Sequence, residues 1–202
     1  MTYKKGSTGE MVRQIQKALH LYPDGIFGTL TEERVRQFQR ENGLKVDGIV
    51  GPATLVKLIP LRLRKSRRTI NEIIVHCTAT PEGKDYTVDE IRRWHKQRGF
   101  TDIGYHYVIH LDGEIETGRD VDISGAHCTG HNAHSIGISY VGGVAKDGKT
   151  PKDTRTLDQK AALANLLIDL RRLYPNAKIH GHRDFANKAC PSFDATFEYK
   201  RF

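Results

Sequence analysis

The chain has 202 residues, 38% of them hydrophobic, and a formal net charge of +8. That is enough apolar material for one sizeable core or two small ones, while no stretch approaches the roughly 20 consecutive apolar residues of a spanning helix. Its three cysteines are an odd number, which argues against a disulfide framework. No membrane insertion is expected. The segment Met1–Glu10 is polar and lacks the apolar core of a secretory signal, so synthesis in the cytoplasm is expected. All of the charge excess lies before residue 71, because residues 71–202 carry equal numbers of acidic and basic side chains. A basic front end favours an anionic partner.

Residues 1–60 read as a small all-α domain of three helices. Asp24-Gly25-Ile26-Phe27-Gly28 followed by Thr31 recurs as Asp47-Gly48-Ile49-Val50-Gly51 followed by Thr54, each copy a glycine-punctuated turn into a helix. The first helix is expected near Glu10–His20, with Val12, Ile15 and Leu19 on one face. The second starts near Thr31, places Glu32 and Glu33 at its positive end and buries Val35 and Phe38. The third opens at Pro52 and buries Leu55 and Leu58. Over about residues 6–59 this pattern resembles the three-helix peptidoglycan-binding domain of wall hydrolases. The resemblance implies bacterial peptidoglycan as a partner. Residues 61–69, with Arg62, Arg64, Lys65, Arg67 and Arg68, read as a basic linker.

Residues 70–202 change to a mixed α/β pattern. Ile70–Cys77 reads as a buried strand, and Thr87-Val88-Asp89-Glu90 as a capping box opening a helix with Ile91 and Trp94 that stops at Gly99. Tyr105–Leu111, the turn Asp112-Gly113 and Glu114–Thr117 form a hairpin. Ser135–Val141 is a further strand. Thr156–Tyr174 is a long helix, capped by Thr156 and Gln159, with Leu163, Leu166, Leu167 and Leu170 inward. A last strand, Lys178–His180, leads into a loop from His182 to Cys190. The fold class is α/β (α+β), a central mixed sheet flanked by helices and preceded by the three-helix domain.

Two histidines and a cysteine leave the fourth position of a tetrahedral zinc open, as a catalytic site requires. His76 ends a strand, and His182 and Cys190 flank the last loop. Spacing alone leaves other choices open among ten histidines, His180 among them, since it lies two residues from His182. The runs Ile73-Ile74-Val75-His76-Cys77-Thr78-Ala79-Thr80, Gly104-Tyr105-His106-Tyr107, Gly118-Arg119-Asp120, His134-Ser135-Ile136-Gly137-Ile138 and Lys188-Ala189-Cys190-Pro191-Ser192-Phe193-Asp194 occur in this order. Together they resemble the zinc-dependent N-acetylmuramoyl-L-alanine amidases of the phage T7 lysozyme type, related to the peptidoglycan recognition proteins, over about residues 70–197.

That resemblance implies His76, His182 and Cys190 as ligands of one zinc ion, with Tyr105 and Lys188 as catalytic residues. His127 matches a family histidine near the cleft, expected to contact substrate or to pack behind the ligands. Asp184 is expected to be structural. Cys77 should face away from His76; Cys77 and Cys128 read as buried thiols, with a bridge between them left open. The implied function is hydrolysis of the bond between muramic acid and L-alanine of the stem peptide by zinc-activated water, in a phage or prophage endolysin or a bacterial autolysin. Anionic wall polymers are a second expected partner, nucleic acid is not one, and the chain is expected to be a monomer that reaches the wall by lysis-linked or non-classical release. Two other readings remain open from the residues: a non-catalytic recognition protein, and a cysteine peptidase using Cys77 or Cys190.

Overall fold

A computed structural model describes residues 2–60 and 63–202, which fall into two units, Met1–Arg62 and Leu63–Phe202. In the first, α1 (Glu10–Ala18), α2 (Thr29–Glu41) and α3 (Pro52–Leu58) enclose Val12, Ile15, Leu19, Phe27, Val35, Val50 and Leu58. Phe38 and Leu55 pack against this core while partly exposed. Helix α1 stops short of His20 and α2 begins ahead of Thr31.

The internal repeat is a pair of hydrogen-bonded clamps. Gln16 is 2% exposed. Its Nε2 donates to Asp24 Oδ1 at 2.7 Å and to the Ile26 carbonyl at 3.0 Å, and its Oε1 accepts from the Gly25 amide at 2.8 Å. Gln39 repeats this with Asp47, the Ile49 carbonyl and the Gly48 amide at 3.0, 2.9 and 2.9 Å. Each turn glycine has a left-handed backbone, φ +79° at Gly25 and +73° at Gly48, a conformation glycine adopts without steric cost. One buried amide thus ties each turn to the helix before it and leaves none of its own polar atoms unsatisfied.

In the second unit the strands are β1 (Glu72–Cys77), β2 (Thr80–Pro81), β3 (Tyr107–Ile109), β4 (Ile115–Thr117), β5 (Ser135–Tyr140), β6 (Gly143–Val144) and β7 (Lys178–Gly181). The helices are α4 (Val88–Gln97), α5 (Leu157–Leu173) and α6 (Ala195–Glu198). The main sheet is mixed, in the order β4-β3-β5-β1-β7, with β3–β4 antiparallel and the other pairs parallel. Both capping boxes form, Thr87 with Glu90 and Thr156 with Gln159. Alternation along β1 and β3 divides their side chains between two cores. Ile73, Val75, Cys77, Tyr107 and Ile109 pack with Leu163, Leu166, Leu167 and Leu170 of α5. Val108 packs with Val88 and Ile91 of α4. Tyr105 lies ahead of β3, which is shorter than the expected strand.

The basic stretch folds onto the second unit from Leu63 onward. Ser66 is 6% exposed; its amide donates to the Tyr174 hydroxyl at 2.6 Å and its hydroxyl to the Val121 carbonyl at 2.7 Å. Arg64 pairs with Asp120 at 2.6 Å and also with Asp122, while Arg67 pairs with Asp122 at 2.9 Å. The Arg64 guanidinium and the Arg67 amide hold the Asp122 carboxyl well below the usual carboxylate range. Two of the five basic side chains of this stretch are therefore already paired with carboxylates of the second unit.

Candidate metal centre

Parallel pairing of β1 with β7 matches Val75 to Gly181. The next residues along, His76 and His182, therefore emerge side by side at the carboxyl end of the sheet, where open α/β sheets place their ligands. Cys190 returns to the same point. The Arg183 amide donates to the Cys190 carbonyl at 2.7 Å, the Tyr140 hydroxyl to the Pro191 carbonyl at 2.6 Å and the Ser192 hydroxyl to the Gly143 carbonyl at 2.8 Å. Among the described residues, His76, His182 and Cys190 form a metal-competent cluster, with donor atoms all within 4.8 Å of one another. Cys190 Sγ lies 3.8 Å from His76 Nδ1, and the two imidazole centroids are 4.6 Å apart.

His180 stays out of this group for a geometric reason. It pairs with Ile74, two residues below His76 on the strand, about 6.6 Å away at 3.3 Å per residue. The strand ends at Gly181 and a 3₁₀ turn begins at His182, so the alternation linking the two histidines breaks. The His180 ring packs on Phe185 at 4.9 Å between centroids. Asp184 accepts from the Gly181 amide at 2.9 Å and from Thr196, a structural role. Cys77 points into the α5 core, and all three cysteines are free.

His127 lies behind His76. His76 Nε2 and His127 Nδ1 are 3.0 Å apart, and His127 Nε2 is 3.3 Å from Ser135 Oγ. Burial, first of all, holds both imidazoles below the usual histidine range, so both are neutral near pH 7. If His76 Nδ1 offers its lone pair to a metal, its Nε2 carries the proton and donates to His127. His127 in turn donates to Ser135. Asn132 Oδ1 fixes the His127 backbone, accepting from its amide at 2.8 Å. A side chain on Gly125 or Gly137 would reach within 2.4 Å of the His127 ring, so both must be glycine for the imidazole to fit.

The cluster opens on a cleft of about 490 Å³ whose walls include Thr78, Trp94, Arg98, Tyr105, His127 and Lys188. The Tyr105 ring lies 5.3 Å from that of His76, and burial pushes its hydroxyl above the usual phenol range, leaving it a donor. Lys188 comes close enough that its charge helps burial to lower His182. In the metal-free chain the two neighbouring thiols share one proton contact, which pushes Cys190 upward and lowers Cys77. Sequence reading passed over Ser135, Asn132, Gly125, Trp94 of α4 and Arg98 just after that helix as parts of this site. Ser135 alone carried a signal, in the run His134–Ile138.

Comparison with known proteins points to one family. The family described as N-acetylmuramoyl-L-alanine amidase matches residues 66–193, and the one described as "Putative peptidoglycan binding domain" matches residues 8–58. The endolysin of Enterobacteria phage K11 is 46% identical over 128 residues, 63% of this chain and 84% of the relative. The endolysin of Escherichia phage T7 is 43% identical over 130 residues, 64% and 85% of the two chains. Among solved structures, the N-acetylmuramoyl-L-alanine amidase LysC from Clostridium intestinale URNW superposes with a TM-score of 0.55 at 32% identity, covering 65% of this chain and 82% of that one. Drosophila PGRP-LB superposes with a TM-score of 0.56 at 26% identity, covering 73% and 91%. The chain therefore belongs to the N-acetylmuramoyl-L-alanine amidase family of peptidoglycan hydrolases.

Proposed function

We propose that the second unit hydrolyses the amide between the lactyl group of N-acetylmuramic acid and L-alanine of the stem peptide, with one zinc ion held by His76 Nδ1, a ring nitrogen of His182 and Cys190 Sγ. The donor set fits the ion. Zinc bonds of about 2.0–2.1 Å to nitrogen and 2.3 Å to sulfur, at tetrahedral angles, separate the two donors by about 3.6 Å. His76 Nδ1 and Cys190 Sγ are 3.8 Å apart. When bound, the ion supplies Lewis acidity toward the scissile carbonyl and acidifies the attacking water.

The chain's own groups do the rest. His127 and Ser135 hold His76 in the tautomer that frees Nδ1. The Lys188 ammonium stands at the cleft mouth, where positive charge stabilises the oxyanion formed by attack on the amide carbonyl. The Tyr105 hydroxyl, kept protonated by burial, donates a hydrogen bond into the same space. Trp94 and Ile91 supply an apolar wall for the substrate. The first unit holds the enzyme on the wall polymer and raises the local concentration of cleavable bonds. The cell wall is the place of action, reached by lysis-linked release; efficient export during growth without lysis overturns that route.

The observation that carries this reading is the convergence of two imidazoles and one thiol at the carboxyl end of the sheet, beside the cleft. The test is mass spectrometry of soluble products from purified sacculi, digested with and without a zinc chelator. Free stem peptides beginning with L-alanine, absent under chelation, are expected. Peptides cut internally and indifferent to chelator overturn the reading.

A further inference from the structure

The two halves of the first unit are near-copies, so a feature present in one half alone is not needed to build the fold. The turn after α1 and the turn after α2 are the same. His20 N donates to the Lys17 carbonyl at 3.0 Å and Leu21 N to the Gln16 carbonyl at 2.8 Å. In the second copy Gly43 N donates to the Arg40 carbonyl at 3.3 Å and Leu44 N to the Gln39 carbonyl at 2.8 Å. Both are Schellman-type helix ends. A basic side chain from the next helix then caps the preceding carbonyl in each copy: Arg34 on Leu19 at 3.3 Å, Lys57 on Asn42 at 2.7 Å.

The copies differ at the left-handed residue. The second uses Gly43 at φ +63°, the first His20 at φ +57°. A residue with a Cβ is strained there, and His20 is exposed, so no core packing offsets the strain. Histidine is among the side chains that tolerate this region, and strain of this kind clusters at ligand sites.

His20 stands on the rim of a cavity of about 240 Å³ that is also lined by Leu19, Arg34, Gln37, Phe38 and Glu41. Its polar wall is ordered: Arg34 Nη1 donates to Gln37 Oε1 at 2.7 Å, and Gln37 Nε2 to Glu41 Oε1 at 2.8 Å. Among the described residues the second copy forms no such helical wall, because α3 stops at Leu58, before the positions equivalent to Gln37 and Glu41.

We infer that this cavity is a subsite for one N-acetylated amino sugar of the glycan strand, an inference that rests on the first unit binding peptidoglycan. Such a sugar needs an apolar surface for its C–H face and acetyl methyl, beside mixed donors and acceptors for its hydroxyls and amide. The partly exposed Phe38, backed by the buried Leu19, supplies the first; Arg34, Gln37, Glu41 and His20 supply the second. Arg34 and Glu41 offset one another, so the cavity suits a neutral ring. The carboxylates of a stem peptide would meet Glu41.

The test uses the full chain, the β-1,4-linked tetramer of N-acetylglucosamine in calorimetry, and sedimentation with purified sacculi. His20→Gly keeps the turn, as Gly43 shows, and Glu41→Gln removes the carboxylate. Both variants are expected to bind the tetramer about tenfold more weakly and to be retained less on sacculi. Hydrolysis of a soluble muropeptide monomer should be unchanged, and His20→Gly should unfold no more readily than the parent. Variants that bind as well as the parent overturn the subsite. A parent that binds isolated stem peptide but not the tetramer overturns the ligand class. A parent that binds sacculi in no form overturns the peptidoglycan-binding reading itself, and the subsite with it.

Discussion

Replacing His127 by leucine removes the acceptor that holds the His76 N–H while keeping a side chain of similar bulk. The two nitrogens are 3.0 Å apart, and the residues are 1% and 8% exposed, so water cannot take the place of the lost partner. In the metal-free protein His76 is free to take its other tautomer. Once Nδ1 is committed to a metal, Nε2 must carry the proton, and the cost falls on the bound state. A buried donor left unsatisfied costs about 1–3 kcal/mol, which weakens zinc binding about 5- to 150-fold. Loss of such supporting partners typically weakens metal binding about 10- to 100-fold, inside that range. His127→Gln restores an amide oxygen as acceptor and should recover most of the loss. Competition titration with a chromophoric zinc chelator reads the affinity directly, without turnover. A leucine variant that binds zinc as tightly as the parent refutes the orienting role of His127.

Four further outcomes follow from the same geometry. Cys190→Ala should lose zinc and activity together, because two protein ligands bind zinc poorly, as metal analysis after gel filtration will show. Lys188→Ala should keep the metal and lose about 10²–10³ in turnover; an unchanged rate constant makes Lys188 a bystander. Gln39→Leu leaves the Gly48 amide and the Ile49 carbonyl without their partner, at a cost of about 2–4 kcal/mol to the first unit, checked by hydrogen exchange at Gly48. Burial lowers both His95 and His106 to about 4. Between pH 4 and 6.5 the unfolded chain therefore binds protons that the folded chain refuses, and stability rises with pH through that window. The slope for the two groups is between about 1 and 2.7 kcal/mol per pH unit, and urea unfolding of chelator-treated protein that is flat from pH 4.5 to 6.5 refutes it.

The basic stretch shows how charge counted along a chain differs from charge presented in space. Counting alone makes residues 61–69 a cationic linker suited to an anionic polymer. Folding brings Asp120 and Asp122 against Arg64 and Arg67, and the Arg68 guanidinium donates to the Val121 and Asn132 carbonyls at 2.8 and 3.1 Å. This strap is anchored through contacts more than 50 residues distant in sequence, which no local pattern reveals.

Helices α4 and α5 were legible in full because their signals are local: a capping box, a periodic apolar face and a glycine or proline stop, all within one segment. The types of side chain at the site were legible too, since His76, Tyr105, Lys188 and Cys190 each sit in a short run whose order along the chain is itself informative, and His182 opens the loop that leads to the last of them. Tertiary structure alone could decide between His180 and His182, because the choice turns on where β7 ends and which residue of β1 it faces. It alone could reveal that Gln16 and Gln39 clamp their turns, since in sequence they are ordinary polar residues of a helix. It alone could put His127 behind His76, two residues that lie 51 positions apart. Propensity and periodicity act over a few residues and so can be read from the chain, whereas a hydrogen bond between distant segments exists only once the core has set their register.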